Sequence, residues 1–427
     1  MKNQFKNIIS DFQGRDFSHV ITRDYDIPVN VNKIVSLIGV RRCGKTYVLY
    51  DLIHQLRQIV DLENIVYVNF EDDRLFPISL HDLDDLINAY YEMYPEKRKE
   101  KVYFFFDEVQ NIKNWELFIR RIYDTLDVQI FITGSSSKLL ASELATSLRR
   151  RTITYEIFPF SFKEYLDYKN IKINLHASKS ISFIKNAFNT YLFNGGFAET
   201  FDVDKSIRRR ILKDYMDMII YKDLIDRYAI KNHVLLKHLI KYFFVNMGTL
   251  MSFNKLYNQY KSMGYKIGKE TLFDYLSFLQ EAFAVFTPTI YRDSVKAENR
   301  HPRKLFVIDN GFKALFDMPH SDDYSKLYEN QVFLHLRRFT NEIYYYKVKQ
   351  EVDFYVKTKS QLLINVCYDI SDINTFQREI NALKEGMDYF KLKKSYLITS
   401  EREEVLNIDN KEIQIIPLWK WMLTVPC

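Results

Sequence analysis

Eight residues, Gly39-Val40-Arg41-Arg42-Cys43-Gly44-Lys45-Thr46, follow a short apolar run and open an amphipathic stretch. They fit the pattern G-x-x-x-x-G-K-[ST] in the context where it has a mechanism, a strand running into a glycine-bearing turn that starts a helix. Glycines let backbone N–H groups turn inward around phosphate oxygens. The helix N-terminus adds a partial positive charge. Lys45 is then placed to reach the β and γ phosphates of a nucleotide, and the Thr46 hydroxyl to ligate Mg2+.

The pattern around this loop predicts the rest of the domain. Strands are expected at 34–38, 65–70, 102–106, 128–133 and 153–158, and helices at 45–59, 83–93 and 115–126. That alternation predicts an α/β fold, a parallel sheet covered on both faces. Pro159 closes the unit, and residues 160–235 read as mainly helical, with a turn at Asn194-Gly195-Gly196. Helices at 250–263 and 269–279, joined around Gly264 and Gly268, precede an apolar β-like pair at 282–290 and 304–308, a pattern that resembles a winged helix-turn-helix. Residues 320–427 return to mixed α/β character, with a helix at 324–338, strands at 343–348, 351–357 and 362–368, a helix at 375–390 and a strand at 394–399. The last segment holds Trp419 and Trp421, read as packing residues. The expected domains are 1–160, 161–235, 236–318 and 319–427.

Composition removes several classes. The 427 residues include 11 glycines and 9 prolines, against roughly 30 and 20 at average usage, which excludes collagen-like and Gly/Ser-linker architectures. Hydrophobic residues are 47% and charged residues 27% of mixed sign, so packed cores are expected and disorder is not. The net charge of +6 permits a local nucleic-acid surface without demanding one. Cys43, Cys367 and Cys427 form no CxxC, which argues against a disulfide framework or zinc site and for a reducing compartment. No apolar h-region or membrane-length run is visible. The expectation is a cytoplasmic protein without membrane association.

The chemistry continues beyond the loop. The candidate nucleotide-binding residues are Gly39, Arg41, Arg42, Cys43, Gly44, Lys45, Thr46 and Tyr47. An acidic pair, Asp107-Glu108, ends the apolar run 102–106. Asp107 is the expected metal holder beside Thr46. Glu108 is the expected carboxylate that orients or deprotonates the attacking water. A further strand ends in Thr133-Gly134-Ser135-Ser136-Ser137. There Thr133 or Ser135 is a candidate contact to the γ phosphate or the water, with helix N-capping the competing role for the serines. Glu71, Asp72 and Asp73 read as a solvated loop in preference to a metal approach. The run Arg149-Arg150-Arg151 is a candidate source of a transition-state arginine, from the same chain or a neighbouring subunit.

In this order the motifs resemble the AAA-type ATPases of bacteria and archaea that pair this core with a C-terminal domain of unknown function. The carriers are GVRRCGKT at 39–46, NFEDDRL at 69–75, VYFFFDEVQ at 102–110, ITGSSS at 132–137 and FPFSFKEYL at 158–166. They continue with FNGGFAET at 193–200, YKDLIDRY at 221–228, VIDNGF at 307–312, LYENQVFLHLRR at 327–338 and EVDF at 351–354. The resemblance implies a P-loop NTPase core of the AAA type, a helical lid, a winged helix and a restriction-endonuclease-like module similar to PD-(D/E)xK nucleases. One departure is Arg150, where the family has glycine; the arginine role passes to Arg151.

The terminal module also departs from its relatives. Glu329 and Asp353 match the first two nuclease acids, but Asn365 replaces the third acid and Cys367 the lysine. An amide lacks the charge that holds Mg2+ and a thiol is no fixed cation, so DNA cleavage by the usual route is not expected. Glu379 and Arg378 are the side chains available to compensate. Lys261, Lys266 and Lys269 are candidate DNA contacts, although the helix after Lys269 is acidic and apolar, which favours packing. The expected function is Mg2+-dependent ATP hydrolysis driving a conformational switch on DNA or a protein partner, with a homo-oligomer as one setting. The alternatives are a non-hydrolysing nucleotide-bound scaffold and a DNA-processing enzyme with a surviving nuclease.

Overall fold

The computed structural model describes residues 1–17, 20–135, 148, 151–292, 294, 301–316, 323–347, 349–358 and 360–425. Ser136, Ser137, Arg149, Arg150 and Cys427 lie outside them. The chain divides into two compact units, Met1–Phe158 and Pro159–Cys427.

The first unit is built on β1 (Ile34–Ile38), β2 (Ile65–Asn69), β3 (Val102–Asp107), β4 (Val128–Gly134) and β5 (Thr152–Glu156), in the order β2-β3-β4-β1-β5. Every pairing is parallel. β1, β3 and β4 are buried along their whole length, which is why they read as continuous apolar runs with no alternation. Three helices, α2 (Lys45–Leu56), α3 (Leu83–Met93) and α4 (Trp115–Thr125), lie between successive strands. Parallel strands bring every strand-to-loop exit to one edge of the sheet. The loop after β1, the acids after β3 and the Gly134-Ser135 end of β4 therefore share that edge, with Ile38 in register with Gly134 and Asn69 with Asp107.

One element of this unit was not foreseen. Helix α1 (Lys2–Gln13) buries Phe5, Ile8, Ile9 and Phe12, a helical spacing present in the sequence, and stacks the Phe12 ring on Tyr67 at 4.5 Å.

The second unit begins with helices Phe162–Tyr168, Ser178–Asn194 and Lys205–Met218, the last continuing as a π-helix over Ile219–Asp226. Helices His233–Val245, Phe253–Ser262 and Lys269–Glu281 follow. The expected β-like pair is shorter than its apolar runs: β6 (Leu250–Met251) pairs β8 (Arg303–Lys304), and β7 (Val285–Phe286) pairs β9 (Phe306–Val307).

Helix Asp323–Arg337 leads into a mixed sheet in the order β10-β11-β12-β13-β15-β14. Its strands are β10 (Ile343–Lys347), β11 (Glu351–Val356), β12 (Leu362–Val366), β13 (Lys394–Thr399), β14 (Glu404–Ile408) and β15 (Lys411–Pro417). Helix Ile373–Phe390 lies between β12 and β13. β14 and β15 carry a weak strand signal in the sequence because charged residues interrupt their apolar positions. Ile413 and Ile415 nevertheless alternate into the core. Trp421 on the closing helix Leu418–Thr424 is fully buried and Trp419 nearly so.

Candidate functional site

The loop between β1 and α2 has a backbone that only particular residues allow. Gly39 takes φ 151° and Gly44 φ 101°, while Arg42 sits at φ 64°. Positive φ at closely spaced residues is the kind of backbone that can turn amides toward one side of a loop. Lys45 is 4% exposed, and its ammonium donates to the carbonyls of Gly39 at 3.2 Å and Val40 at 3.3 Å. It also lies 3.9 Å from Glu108. Cys43 is buried and burial pushes its thiol up, so it serves through its backbone. Its carbonyl accepts from Arg23 at 3.1 Å, and the same guanidinium donates to the Phe158 carbonyl at 2.8 Å. Arg23, buried itself, ties the loop to the last residue of the unit, a role with no sequence signal.

Asp107 is fully buried and accepts three hydroxyls: Thr46 at 2.7 Å, Tyr67 at 2.8 Å, and Thr133. Burial, and secondarily the neighbouring Glu108 carboxylate, raises its pKa, while the hydroxyls oppose that shift. Thr133 also accepts the Glu108 backbone N–H at 2.8 Å, so one hydroxyl joins the acidic pair to β4. Glu108 stands in the left-handed region at φ 53°, and Gln110 donates to its carboxylate. Such strain in a residue with a side chain persists where surroundings over-determine it. Tyr67 and Gln110 are members of this site that residue-type reasoning missed. Tyr67 comes from a neighbouring strand, and Gln110 was legible only as part of the quoted VYFFFDEVQ.

The remaining candidates sort by position. Ser135 is fully buried at the end of β4, beside the Thr133 cluster along the chain. Tyr47 is exposed on the first turn of α2, its ring 5.8 Å from Tyr50. Arg41 approaches Glu71 at 3.6 Å, so Glu71 borders the loop, whereas Asp72 is spent on Arg74. Neither joins the Asp107 cluster.

Arg151 requires a correction. Its carbonyl accepts the Ile34 N–H at the opening of β1, and its guanidinium grips Asp124 at 2.9 and 3.1 Å. It therefore stands at the opposite edge of the sheet, on the order of 15 Å of strand from the loop, because parallel strands put the start of β5 beside the start of β1. Within its own chain Arg151 is therefore remote from the loop Gly39–Thr46.

In the second unit, Glu329 and Asp353 both meet a partner without a sequence signal, Lys304. The buried Lys304 ammonium contacts Glu329 at 2.6 Å, Asp353 at 2.7 Å and Glu351 at 3.2 Å. Asn365 accepts the Asp353 N–H and donates to Glu379 at 2.6 Å, while Arg378 pairs with Glu379 at 2.8 Å. Cys367 donates to the Asp369 carbonyl, and burial pushes its thiol to about 11. Burial likewise lifts Glu329 to about 8 against the pull of Lys304. The cation among these acids comes from β8, dozens of residues upstream of Cys367 in sequence.

Residues 31–166 match the family model of the AAA domain, and residues 185–320 that of a domain of unknown function, DUF8612. With the loop, the acidic pair and the parallel sheet, the first unit is an ATPase core of the AAA type. The chain is 37% identical over 434 residues to the uncharacterized protein MJ1544 of Methanocaldococcus jannaschii, an alignment covering 98% of this chain and 94% of that protein, and it belongs to that protein's family. An uncharacterized protein of Haemophilus influenzae is 30% identical over 394 residues, covering 92% of this chain and 94% of its own. Among solved structures, the Walker-type ATPase PABY2304 of Pyrococcus abyssi aligns at 14% identity and a TM-score of 0.43, over 67% of this chain and 91% of that one. Among the described residues no helix is long and apolar enough to cross a membrane.

Proposed function

We propose that this protein is an Mg2+-dependent ATPase whose hydrolysis drives a conformational switch acting on DNA or a protein partner. The observation that carries the reading is the continuous Thr46–Asp107–Thr133–Glu108 network beside the loop Gly39–Thr46. Loop amides and Lys45 bind the β and γ phosphates, which would take the place of the loop's own carbonyls at the Lys45 ammonium. Glu108 accepts a proton from water as the water oxygen attacks the γ phosphorus. The P–O bond to the β phosphate breaks, releasing ADP and phosphate. Mg2+ takes oxygen ligands and keeps several waters, and Thr46 and Asp107 offer hard oxygens 2.7 Å apart, which fits it. When bound, the metal neutralises phosphate charge, with Thr46 holding it and Asp107 holding its water. Arg151 is read as a transition-state arginine offered to a neighbouring copy of the chain.

The order of helix, three antiparallel strands, helix and parallel strand in the second unit supports its likeness to nuclease modules. The helices Phe253–Ser262 and Lys269–Glu281 with their short strand pairs support the winged-helix reading. Lys304 compensates the acids that would otherwise hold a metal, which supports a non-cleaving module.

Purified protein assayed for phosphate release with and without DNA tests the main reading. Lys45→Ala is expected to abolish nucleotide binding. Glu108→Gln is expected to keep binding and lower turnover by about two orders of magnitude or more. Normal turnover in the Glu108→Gln protein would sink the assignment. No turnover by the unaltered chain under any condition would instead favour the nucleotide-bound scaffold.

A further inference from the structure

Helix Lys205–Met218, helix His233–Val245 and the turn Asn310–Leu315 border an open cavity of about 620 Å3. Among the described residues its rim carries Arg209, Arg210 and Lys213 from the first helix and Lys237 from the second, against one carboxylate, Asp217. Its floor is apolar: Met216, Ile220, Ile240 and Phe316. The arrangement follows from spacing. Residues three and four apart share a helix face, so Arg209, Lys213, Met216 and Ile220 line up along one side, continuing into the π-helix.

The arginine run 208–210 shows which of these cations are already committed. Arg208 is spent on structure, donating to Asn194 and to the carbonyls of Thr200 and Val203. Among the described residues Arg209 reaches only the carbonyls of Ala314 and Leu315, at 3.5 and 3.4 Å. Lys237 donates to the Tyr221 hydroxyl and lies 5.1 Å from the centre of that ring. Among the described residues Arg210 and Lys213 have neither a hydrogen-bond nor an ion-pair partner. Among the described residues, four cations face one carboxylate, Asp217, above a floor that water solvates poorly.

We propose that this cavity docks an acidic segment of a partner protein that inserts one apolar side chain. An apolar centre ringed by arginine and lysine matches a protein interface, whose anchor residue fills a pocket while the charged rim selects and orients. The volume lies in the range of roughly 300–1,000 Å3 common for binding pockets. Nucleic acid fits less well. Single strands stack bases on aromatic faces, and the lining offers one aromatic ring, Phe316, already tilted against Phe244 at 5.6 Å. Phosphate contacts along a duplex make no use of an aliphatic floor. The proposal gives the protein-partner arm of the function a place, and docking is read without nucleotide, so it can fail while the ATPase reading stands.

The test uses the full-length chain and fluorescence anisotropy. The probes are short peptides with Asp/Glu-rich flanks around one Leu, Ile, Met or Phe, the same peptides with Ser at the centre, and a single-stranded oligonucleotide. At least one apolar-centred peptide is expected to bind, about tenfold more weakly when the centre is Ser, and with strong salt dependence. Arg210→Glu with Lys213→Glu is expected to weaken it by at least about tenfold while leaving thermal unfolding unchanged, since both side chains are exposed. Lack of binding by every acidic peptide overturns the proposal. So does peptide binding indifferent to the double substitution, or oligonucleotide binding that the substitution abolishes while peptides do not compete.

Discussion

A methyl group at Gly39 would sit 2.1 Å from the Ile157 carbonyl oxygen, in a backbone conformation that side-chain-bearing residues rarely adopt. Gly264 also has a positive φ, 87°, but nothing lies within 4 Å of an added methyl. The pair separates steric from conformational cost. Gly264→Ala is expected to destabilise by about 1 kcal/mol, from backbone strain alone. Gly39→Ala is expected to cost about 3 kcal/mol or more and to lose nucleotide binding. Urea unfolding of the two variants measures this, and equal costs would show that the Ile157 contact yields freely. At this scale the loop itself was legible, because its chemistry dictates residue type at each position. Tyr67 and Arg23 were not, since a tyrosine in a strand and an arginine in a loop carry no mark of the carboxylate or carbonyl they will meet.

Helix Asp323–Arg337 illustrates what an element adds. It places Glu329 against Lys304 on one side and His335 against Trp421, ring centres 4.8 Å apart, on another. Burial, and secondarily the Arg338 charge, lowers the His335 pKa to about 3 from an ordinary 6.5. A lowered value means that the folded state resists protonation. The stability this group contributes is complete above about pH 6.5 and is lost as pH falls toward 3. His335→Leu is therefore expected to flatten the acid dependence of unfolding across that window, relative to the unaltered chain. Hydrogen exchange along this helix, followed as a function of pH, is the measurement, and an unchanged slope would refute it. The helix was readable from its apolar period. Its relation to Trp421 was not, because the two meet only through the packing of distant segments.

Across the whole molecule, the position of Arg151 has the largest consequence. Held by Asp124 at the far edge of its own sheet, it is remote from its own loop, and the role proposed for it is on another copy. Mixing Arg151→Ala chains with Glu108→Gln chains, each expected to be nearly inactive, should then restore part of the turnover. In such an assembly the intact Arg151 of one chain faces the intact Glu108 of the other. Mixtures no more active than their components would reduce Arg151 to a surface ion pair.

The sequence by itself determined the phosphate loop, the acidic pair, the parallel α/β core and the helical character that follows Pro159. These depend on local spacing, and spacing is written along the chain. Only the tertiary structure decided that Lys304 supplies a cation to Glu329 and Asp353, that Arg151 and Lys45 stand at opposite edges of one sheet, and that the cations of an arginine-rich helix rim an apolar cavity. Each of these is a meeting of residues far apart in sequence, and long-range proximity is set by packing, which no local pattern encodes.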